Sequence, residues 1–503
     1  MFETAELGRK VGKKDFEAAE NELRTALLEA QRALAGTRTS VVVVVSGVEG
    51  AGKGDLVNRL TAWLDPRGTT THAFWDTTDE ERERPWWWRF WRTLPRRGTI
   101  GVLFGSWYTE PIVDEALERS QPGVFERRLR EIEAFESMLA ADGTLFLKVW
   151  MHLSKDAQRE RWRADAAKGR AWRESPLAEE YGARYDAFLA TSERAIRHTD
   201  TGRAPWYIVE AADARWRDLT VGRTLLKALQ ERLQGETGPS VAQTPTTLDP
   251  PGKRATVLDS VPLDRKLDRD TYKAQLDHWQ TELNRLSWAA NAARRSTVVV
   301  FEGWDAAGKG GAIRRITGAV DARLSQIIPV AAPTDEEAAQ HYLWRFWRHV
   351  PRAGRLTIYD RSWYGRVLVE RVEGFARDDE WLRAYHEINA FEGELLDHGI
   401  TICKLWLHID RDEQLRRFEE RRETPWKMHK ITDEDWRNRK RWKPYAAAVH
   451  DMVQHTSTAR APWTLVAAND KRYARIQVLE TVCRAIAGGL GEPVAEPPVT
   501  DRA

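Results

Sequence analysis

The chain has 503 residues, and its 78 Lys and Arg nearly balance 76 Asp and Glu, which gives a formal net charge of +2. Hydrophobic residues at 42% suffice for packed cores, so wholesale disorder is excluded. No apolar run approaches the ~18 residues that a bilayer crossing needs. The N-terminus lacks the apolar core of a secretory signal, and two cysteines cannot build a disulfide framework. We therefore expect a cytoplasmic protein of several domains with no membrane partner.

The sequence contains one unit twice. VVVVVSGVEGAGKG at residues 41–54 corresponds to TVVVFEGWDAAGKG at residues 297–310, so that Gly47 recurs as Gly303, 256 positions later. The same offset relates the motifs WRFWR, SWY and AFE of the two halves, and RAPW recurs at an offset of 257. A period of this length indicates a tandem duplication of a whole domain.

Each copy alternates short β-branched runs with amphipathic stretches, which is the pattern of a parallel sheet flanked by helices. In chain order, the predicted strands are 41–46, 99–104, 144–150 and 206–210 in the first copy, then 297–302, 355–360, 401–407 and 463–467 in the second. The clearest helices are predicted at 309–320 and 379–397. The predicted fold class is therefore α/β.

Composition places the domain boundaries. Residues 235–260 are rich in Gly, Pro, Ser and Thr without periodicity, which is typical of a linker. This linker would separate an N-terminal domain of residues 1–234 from a C-terminal domain of residues 261–490. The last residues, 491–503, have the composition of a disordered tail.

The segment GWDAAGKG follows a predicted strand and opens a predicted helix, which is the context of a phosphate-binding loop. Its glycines, Gly303, Gly308 and Gly310, let the backbone turn its N–H groups toward an anion. Lys309 would reach the outer phosphates as a mobile point charge. A glycine-rich turn with a solvated lysine is the alternative, and the presence of two copies in the same context argues against it.

Two aspartates are candidate ligands for Mg²⁺. The hydroxyl residue that usually follows the loop lysine and binds this metal is replaced by Gly310, so other oxygens must hold it. Asp305 lies within the loop, and Asp360 ends the predicted strand TIYD. With Lys309 they could neutralise the charge that spreads over a transferring phosphoryl group. Each aspartate alone could instead be a loop acceptor or a helix cap.

Two arginines, Arg361 and Arg366, follow this strand in RSWYGR. They would lie at the carboxyl edge of a parallel sheet, where ligands of such folds bind. The planar guanidinium group suits phosphate oxygens. For Arg366 a surface arginine is an equal alternative, whereas the position next to Asp360 favours a phosphate-binding role for Arg361.

The segment from Arg416 to Lys443 carries 11 Lys or Arg against 6 Asp or Glu. The turn TPWK at residues 424–427 divides it into two arms, so we expect a cationic helical hairpin that closes over the phosphate site. A solvated helix face and a nucleic-acid channel with stacking tryptophans are the alternatives, and the small net charge argues against broad nucleic-acid affinity. Trp344 and Trp347 of WRFWR share one helical face and are interpreted as packing residues.

The residues GWDAAGKGG, APTDEE, WRFWR and YDRSWYGRVLVERVEGF closely resemble the polyphosphate kinase 2 family, and the fused two-copy form resembles its class II. The resemblance implies two tandem P-loop kinase-like domains, each with a helical lid. It also implies Mg²⁺-dependent transfer of the terminal phosphoryl group of inorganic polyphosphate, the donor, to AMP, the acceptor, giving ADP. The residues it assigns are Asp305, Lys309, Asp360, Arg361 and the lid cation Lys427.

The first copy departs from this pattern. It keeps the loop lysine as Lys53, but Asp305, Asp360, Arg361 and Arg366 are replaced by Glu49, Phe104, Gly105 and Glu110. An aromatic ring cannot replace a metal-binding carboxylate, and an acid cannot replace an arginine. We therefore predict that the second copy is catalytic and the first is a degenerate partner that completes its interface.

Two other functions fit the sequence. One is an ATP-dependent nucleoside monophosphate kinase, which differs in its phosphoryl donor. The other is a non-catalytic module that binds polyphosphate or nucleic acid, against which the intact loop lysine and aspartates argue. The sequence leaves open whether GMP or ADP is also an acceptor, which direction predominates, and whether the chain forms a homo-oligomer.

Overall fold

The computed structural model describes residues 1–167, 178–235, 256–425 and 433–497. We call the chain before residue 236 the first repeat and the chain after residue 255 the second repeat. Each repeat forms a five-stranded parallel sheet flanked by helices, so the predicted α/β class is confirmed.

The first repeat builds its sheet around the valine run. Its strands are β1 (Ser40–Gly47), β2 (Thr69–Ala73), β3 (Ile100–Phe104), β4 (Thr144–His152) and β5 (Trp206–Glu210). They are parallel and lie in the order β2-β3-β1-β4-β5. The central strand holds Val41 to Val45, all fully buried, because both faces of the sheet are covered. The helices are α1 (Lys13–Leu34), α2 (Lys53–Trp63), α3 (Asp79–Arg82), α4 (Trp88–Trp91), α5 (Thr109–Ala116), α6 (Val124–Ala141), α7 (Lys155–Ala167), α8 (Ala178–Ala183), α9 (Tyr185–Thr199) and α10 (Ala214–Leu233).

The second repeat has the same topology. Its strands are β6 (Thr297–Gly303), β7 (Ser325–Pro329), β8 (Leu356–Asp360), β9 (Thr401–His408) and β10 (Trp463–Ala467). They lie in the order β7-β8-β6-β9-β10, again all parallel. The helices are α11 (Arg269–Ala292), α12 (Lys309–Thr317), α13 (Asp335–Ala338), α14 (Trp344–Trp347), α15 (Val369–Glu373), α16 (Asp378–Asp397), α17 (Arg411–Glu423), α18 (Asp433–Lys440), α19 (Trp442–Thr456) and α20 (Lys471–Leu490).

The sequence predicted the inner strands and missed one edge strand in each repeat. Every predicted strand is confirmed, with bounds that differ by no more than two residues. The missed strands are β2 and β7, whose sequences TTTHA and SQIIP are largely exposed. An exposed edge strand carries little of the apolar signal that reveals a buried one. The predicted helices at 309–320 and 379–397 are confirmed as α12 and α16, although α12 ends at Thr317.

The two predicted lid arms are helical, as α17 and α18, on either side of the turn. Residues 426–432 lie outside the described part of the chain, and so does 236–255, which covers most of the predicted linker. The domain boundaries proposed from composition stay predictions.

The chain is divided into two compact units that do not coincide with the repeats. Unit 1 comprises Met1–Thr77, Arg89–Val241 and Thr334–His341, and unit 2 comprises Thr78–Trp88, Ala242–Pro333 and Tyr342–Ala503. Each unit thus includes a short segment of the other repeat. Within unit 2, Glu83 forms ion pairs with Arg294 (2.7 Å) and Arg352 (2.5 Å), which hold the pKa of its carboxyl at about 2. Within unit 1, the backbone N–H of Arg97 donates to the Ala339 carbonyl at 2.8 Å.

A buried polar cluster brings together the repeated motifs SWY, AFE and APW. In the second repeat, Lys404 Nζ donates to Glu392 Oε2 at 2.7 Å and to the Tyr364 hydroxyl at 3.0 Å. It also donates to the Thr456 carbonyl at 2.6 Å. The other carboxylate oxygen of Glu392 accepts from the Tyr364 hydroxyl and from Trp363 Nε1. Burial raises the pKa of Glu392 and lowers that of Lys404, and their ion pair offsets both effects.

The first repeat contains the same cluster. Lys148 Nζ donates to Glu136 Oε2 at 2.6 Å, to the Tyr108 hydroxyl at 3.0 Å and to the Thr199 carbonyl at 2.8 Å. Trp107 Nε1 donates to Glu136 Oε1 at 2.9 Å. Because the cluster is present in both repeats, whereas three of the four predicted catalytic residues, Asp305, Asp360 and Arg361, occur in the second alone, we assign it a structural role. It also accounts for part of the unusual content of 24 tryptophans.

Candidate active site

The phosphate loop lies between β6 and α12, at the carboxyl edge of the second sheet. Gly303 has φ +146°, and a Cβ there would lie 2.5 Å from the Leu407 carbonyl oxygen, so only glycine fits. Gly308 has φ +110° and precedes Lys309, the first residue of α12, while Gly310 follows it at an exposed position. The loop therefore has the strand-loop-helix geometry that the sequence predicts.

Lys309 bends back over its own loop. Its Nζ donates to the Gly303 carbonyl at 2.7 Å and approaches the Trp304 carbonyl at 3.4 Å. Burial lowers the pKa of this amine, and the neighbouring Arg361 lowers it further. An anion bound in the loop would favour the charged amine, so the site is electrostatically suited to phosphate.

The Asp305 carboxylate is hydrogen-bonded on one side to a residue just after β8 and on the other to a residue of the second lid arm. Its Oδ1 accepts from the Arg361 guanidinium at 3.1 Å, and its Oδ2 accepts from Asn438 Nδ2 at 3.0 Å. Arg361 adopts φ +66°, in the left-handed region that is unfavourable for a side-chain-bearing residue. Asn438 belongs to α18, so the second lid arm contacts the loop aspartate directly.

Asp360 ends β8 and presents an uncommitted carboxylate. Its backbone carbonyl accepts from Val330 N at 3.0 Å, but its side chain makes no hydrogen bond or ion pair with any residue that the structure describes. Coulombic effects of Asp360 on both Lys309 and the buried Glu302 place it in the same electrostatic cluster. The two predicted aspartates thus differ, because the Asp305 carboxylate is hydrogen-bonded to two described side chains and the Asp360 carboxylate to none.

The contacts of the predicted phosphate-binding residue Arg366 do not place it at the site. The Arg366 guanidinium forms an ion pair with Glu370 at 3.2 Å and lies over the Tyr342 ring at 4.5 Å, contacts that suit a structural arginine. Lys427 lies outside the described residues. A phosphate-binding role for either residue stays a prediction. Trp344 and Trp347, interpreted as packing residues, are buried, which confirms that interpretation.

A buried carboxylate beside the loop was missed by the sequence analysis. Glu302 is 5% exposed and accepts from the Ser362 hydroxyl at 2.8 Å, and burial raises its pKa. It lies immediately before Gly303, and its counterpart in the first repeat is Ser46. The replacement of Ser46 by a glutamate in the second repeat could have identified Glu302 from the sequence.

Two further residues that the sequence analysis missed anchor the loop from behind. Gln414 Nε2 donates to the Asp305 carbonyl at 3.2 Å, and the Arg417 guanidinium donates to the carbonyls of Ala306 (3.0 Å) and Ala307 (2.9 Å). Both belong to α17, the first lid arm. The first repeat has the equivalent bonds from Gln158 and Arg161, so the repeated spacing Q-x-x-R could have identified them.

A tryptophan stack joins the loop to the start of α19, at the end of the cationic segment. Trp304 and Trp442 are parallel, with ring centroids 3.8 Å apart and an interplanar angle of 9°. Trp304 Nε1 donates to His408 Nδ1 at 3.0 Å. Burial lowers the pKa of His408 to about 4, so this imidazole is neutral at physiological pH and can accept. The loop conformation is therefore coupled by packing to α19.

The first repeat has a loop whose charge is neutralised internally. Lys53 Nζ forms an ion pair with Glu49 at 3.0 Å, while it also donates to the Gly47 and Val48 carbonyls. Phe104 and Gly105 occupy the positions of the second aspartate and arginine. Glu49 thus pairs with the lysine that would otherwise attract phosphate, and the degeneracy of the first copy stays a prediction.

The described residues contain no group of three or more His, Cys, Asp or Glu side chains that could hold a metal ion. Asp305 and Asp360 can supply two ligands, and Mg²⁺ in phosphoryl-transfer sites commonly takes its remaining ligands from water and substrate phosphates. Among the helices that the structure describes, none has the length and apolar character that crossing a bilayer requires.

Comparison with known proteins identifies the family. The sequence profile of Polyphosphate kinase 2 (PPK2) matches residues 10–236 and 266–490, which are both repeats. The chain belongs to the polyphosphate kinase 2 family. It is 49% identical over 492 residues to the polyphosphate:AMP phosphotransferase of Pseudomonas aeruginosa, covering 97% of this chain and 98% of the relative. It is 45% identical over 488 residues to the protein of the same name from Pseudomonas syringae, with 97% and 98% covered.

A solved structure agrees in fold over the full length of the chain. A crystal structure named as a polyphosphate kinase 2 from Pseudomonas aeruginosa superposes with a TM-score of 0.86 at 47% identity, covering 98% of this chain and 99% of that one. Members of the family are phosphotransferases, so the enzyme class that the loop residues predict is confirmed.

Proposed function

We propose that this chain transfers the terminal phosphoryl group of inorganic polyphosphate to AMP, giving ADP, and that the reaction takes place in the second repeat. The observation that carries the proposal is the set of residues around the second loop. Lys309, the Asp305–Arg361 pair and the open carboxylate of Asp360 meet there, whereas the first repeat retains the lysine alone. The full-length similarity to two proteins named polyphosphate:AMP phosphotransferase supports the choice of substrates.

The chemistry needs positioning and charge neutralisation more than a general base. A phosphate oxygen of AMP, already anionic, attacks the terminal phosphorus of the donor, and the bond from that phosphorus to its bridging oxygen breaks. The shortened polyphosphate leaves with the electron pair of that bond, and AMP becomes ADP. Lys309 and Arg361 would neutralise the charge that spreads over the transferred group.

Mg²⁺ fits this site through its two aspartates. Asp360 is the better placed, because its carboxylate makes no bond with any described residue, whereas Asp305 would first have to release Asn438 or share its oxygens. Carboxylate oxygen is the protein ligand that Mg²⁺ prefers. A bound ion would offset charge on the donor phosphates. A cytoplasmic location, the absence of a nucleic-acid partner and the oligomeric state stay predictions.

The decisive experiment supplies AMP with either polyphosphate or ATP as the sole donor, in the presence of Mg²⁺, and measures ADP. With ATP as donor, labelled AMP distinguishes the product. We expect turnover with polyphosphate and little with ATP. Turnover with ATP alone would indicate an ATP-dependent nucleoside monophosphate kinase instead. Mg²⁺-independent binding of polyphosphate without turnover would indicate a binding module.

Matched variants locate the reaction. Asp360→Ala should abolish transfer, because the open carboxylate is lost, while Lys53→Ala in the first repeat should keep most of it. Each variant removes one charged group, Asp360→Ala at a strand end of the second repeat and Lys53→Ala at the phosphate loop of the first. If Lys53→Ala were inactive and Asp360→Ala active, the assignment of the catalytic repeat would be reversed.

A further inference from the structure

A buried hydrogen bond joins the strand before the phosphate loop to the turn after β8. The Ser362 hydroxyl donates to Glu302 Oε1 at 2.8 Å and accepts from the Tyr364 N–H at 3.3 Å. Both Glu302 and Ser362 are buried. One residue earlier on each side, the Arg361 N–H donates to the Phe301 carbonyl at 3.0 Å. Two successive residues after β8 are thus bonded to two successive residues of β6.

The turn that these bonds hold is strained at Arg361. This residue has φ +66°, and a left-handed conformation is unfavourable for a residue with a side chain unless its surroundings fix it. Its own N–H is bonded to β6, and Ser362, which follows it, precedes the short helical turn Trp363–Arg366. The Arg361 guanidinium then pairs with Asp305 at 3.1 Å. The bond from Ser362 to Glu302 is therefore the contact that fixes the chain just after the strained residue.

The first repeat makes the same turn without this bond. Its left-handed residue is Gly105, which adopts φ +73° without a side-chain penalty. Ser106, the counterpart of Ser362, also accepts from a tyrosine N–H at 3.3 Å, that of Tyr108. Its hydroxyl, however, donates to no residue that the structure describes. The Ser106 N–H donates instead to the Thr109 hydroxyl at 3.0 Å. The repeats thus share the turn and differ in the bond that fixes it.

The buried carboxylate of Glu302 calls for a functional reason, because burial penalises a charged group. Burial raises the pKa of Glu302, and the bond from Ser362 and the charges of Lys309 and Arg361 offset only part of this effect. The first repeat avoids the penalty, since Ser46 stands at the equivalent position. The side chain of Glu302 makes a single hydrogen bond within the described part of the chain, and that bond leads to the turn beside the predicted catalytic residues.

We infer that Glu302 is a positioning residue for phosphoryl transfer, which acts through Ser362 to fix the turn that presents Asp360 and Arg361 to the transferred group. The inference deepens the proposed function and rests on it. Glu302 acts by accepting a hydrogen bond, so a neutral side chain that accepts the same bond replaces it. Its Oε2 bonds to no described residue, so the amide nitrogen of glutamine loses no partner there.

The test is a double-mutant cycle on ADP formation from AMP and polyphosphate. Ser362→Ala and Glu302→Ser, which introduces the residue of the first repeat, should each lower kcat by roughly 10–100-fold, since a misplacement of about 1 Å can cost about 10²-fold. The double variant should fall no further than the worse single one, because both remove one bond. The KM for AMP should stay nearly unchanged, because Arg361 acts on charge that develops in the transition state. Glu302→Gln should keep kcat within several-fold.

Ser106→Ala is the matched control. It removes the equivalent hydroxyl, and the acceptor of the Tyr108 N–H, from the first repeat, and it should leave kcat unchanged. The inference is overturned if Glu302→Gln loses as much activity as Glu302→Ser, which would assign the effect to the charge. It is also overturned if the two single losses multiply in the double variant, which would make the two side chains independent.

Failure of the proposed function is a separate result. It is shown if the wild type transfers no phosphoryl group from polyphosphate to AMP. Crystal structures of the wild type and Ser362→Ala then decide the inference without turnover. We expect the Arg361 guanidinium to leave its place against Asp305 in the variant, and an unchanged turn would refute the role of Glu302.

Discussion

The left-handed backbone of Arg361 predicts that stability and activity can be separated at one residue. Arg361 has φ +66°, and its counterpart in the first repeat is Gly105, with φ +73°. The two repeats thus share a backbone turn, but only the second keeps a side chain on it. Arg361→Gly removes the strain and the cation together, and we expect it to abolish most of the activity while leaving the fold intact.

The magnitudes come from three contributions. A left-handed conformation costs a side-chain-bearing residue about 1–2 kcal/mol, which glycine recovers. The greater freedom of glycine in the unfolded chain takes back about 0.4–1 kcal/mol. The ion pair with Asp305, in which Arg361 is 44% exposed, contributes about 0–1 kcal/mol. The net change in the free energy of unfolding should therefore lie between a loss of about 1 kcal/mol and a gain of about 1.6 kcal/mol. Loss of one transition-state cation should lower kcat by about 10²–10³-fold.

The assay compares ADP formation from polyphosphate with the urea midpoint of unfolding for each variant. Ala306→Gly is the control, because Ala306 has φ +63° in the loop itself but carries no charge. It should keep kcat within several-fold. Gly105→Arg tests the first repeat, where a Cβ would lie 2.8 Å from the Phe74 carbonyl oxygen. It should destabilise the protein without adding activity. A large loss of stability in Arg361→Gly, or retention of more than a tenth of kcat, would refute the reasoning.

Two other predictions concern buried and paired charges. Lys404→Met leaves Glu392 as a buried carboxylate without its cation, so it should lower the free energy of unfolding by about 3–5 kcal/mol. Lys148→Met should cost a similar amount in the first repeat. Changes below about 1 kcal/mol in urea unfolding would contradict the role assigned to the cluster. Glu83 has its pKa lowered to about 2 by Arg352 and Arg294, so its contribution is fully present above its ordinary pKa near 4.5 and is lost as the pH falls toward 2. The urea midpoint of the wild type should therefore fall more steeply between pH 5 and pH 3 than that of Glu83→Gln, and parallel profiles would count against the ion pairs.

The sequence predicted the parts of the fold that depend on burial and on glycine. The valine run of β1 and the loop around Gly303 are recognisable because their residues are constrained from both sides of the sheet or by the backbone itself. The edge strands β2 and β7 escaped because they are exposed on their outer side and share composition with loops. Burial, more than intrinsic strand propensity, made the strands predictable.

The site was predictable only where a residue belongs to a short motif. Lys309 and Asp305 lie in the phosphate loop, and Asp360 ends a strand, so spacing alone identifies them as candidates. Glu302 has no motif of its own, and Asn438 reaches the loop residue Asp305 from a helix more than 100 residues further along the chain. Contacts of that kind arise from packing, and a single sequence does not encode them as a pattern. Comparison of the two repeats supplies part of the missing information.

The buried cluster also constrains the order in which each repeat can be completed during synthesis. Lys404 lies on the inner strand β9, yet its carbonyl acceptor, Thr456, is 52 residues later. At ~5–20 residues per second, the ribosome delivers that acceptor several seconds after the lysine. Glu392 and Tyr364 precede the lysine in the chain and can accept two of its N–H groups, but until Thr456 is made the third must stay hydrated, and β9 stays open to water on the side where β10 will lie. The first repeat imposes the same delay through Lys148 and Thr199, 51 residues apart. A nascent chain of this protein therefore passes twice through a period in which a sheet is nearly formed but still open to water, and those two periods are when we expect it to need chaperones most.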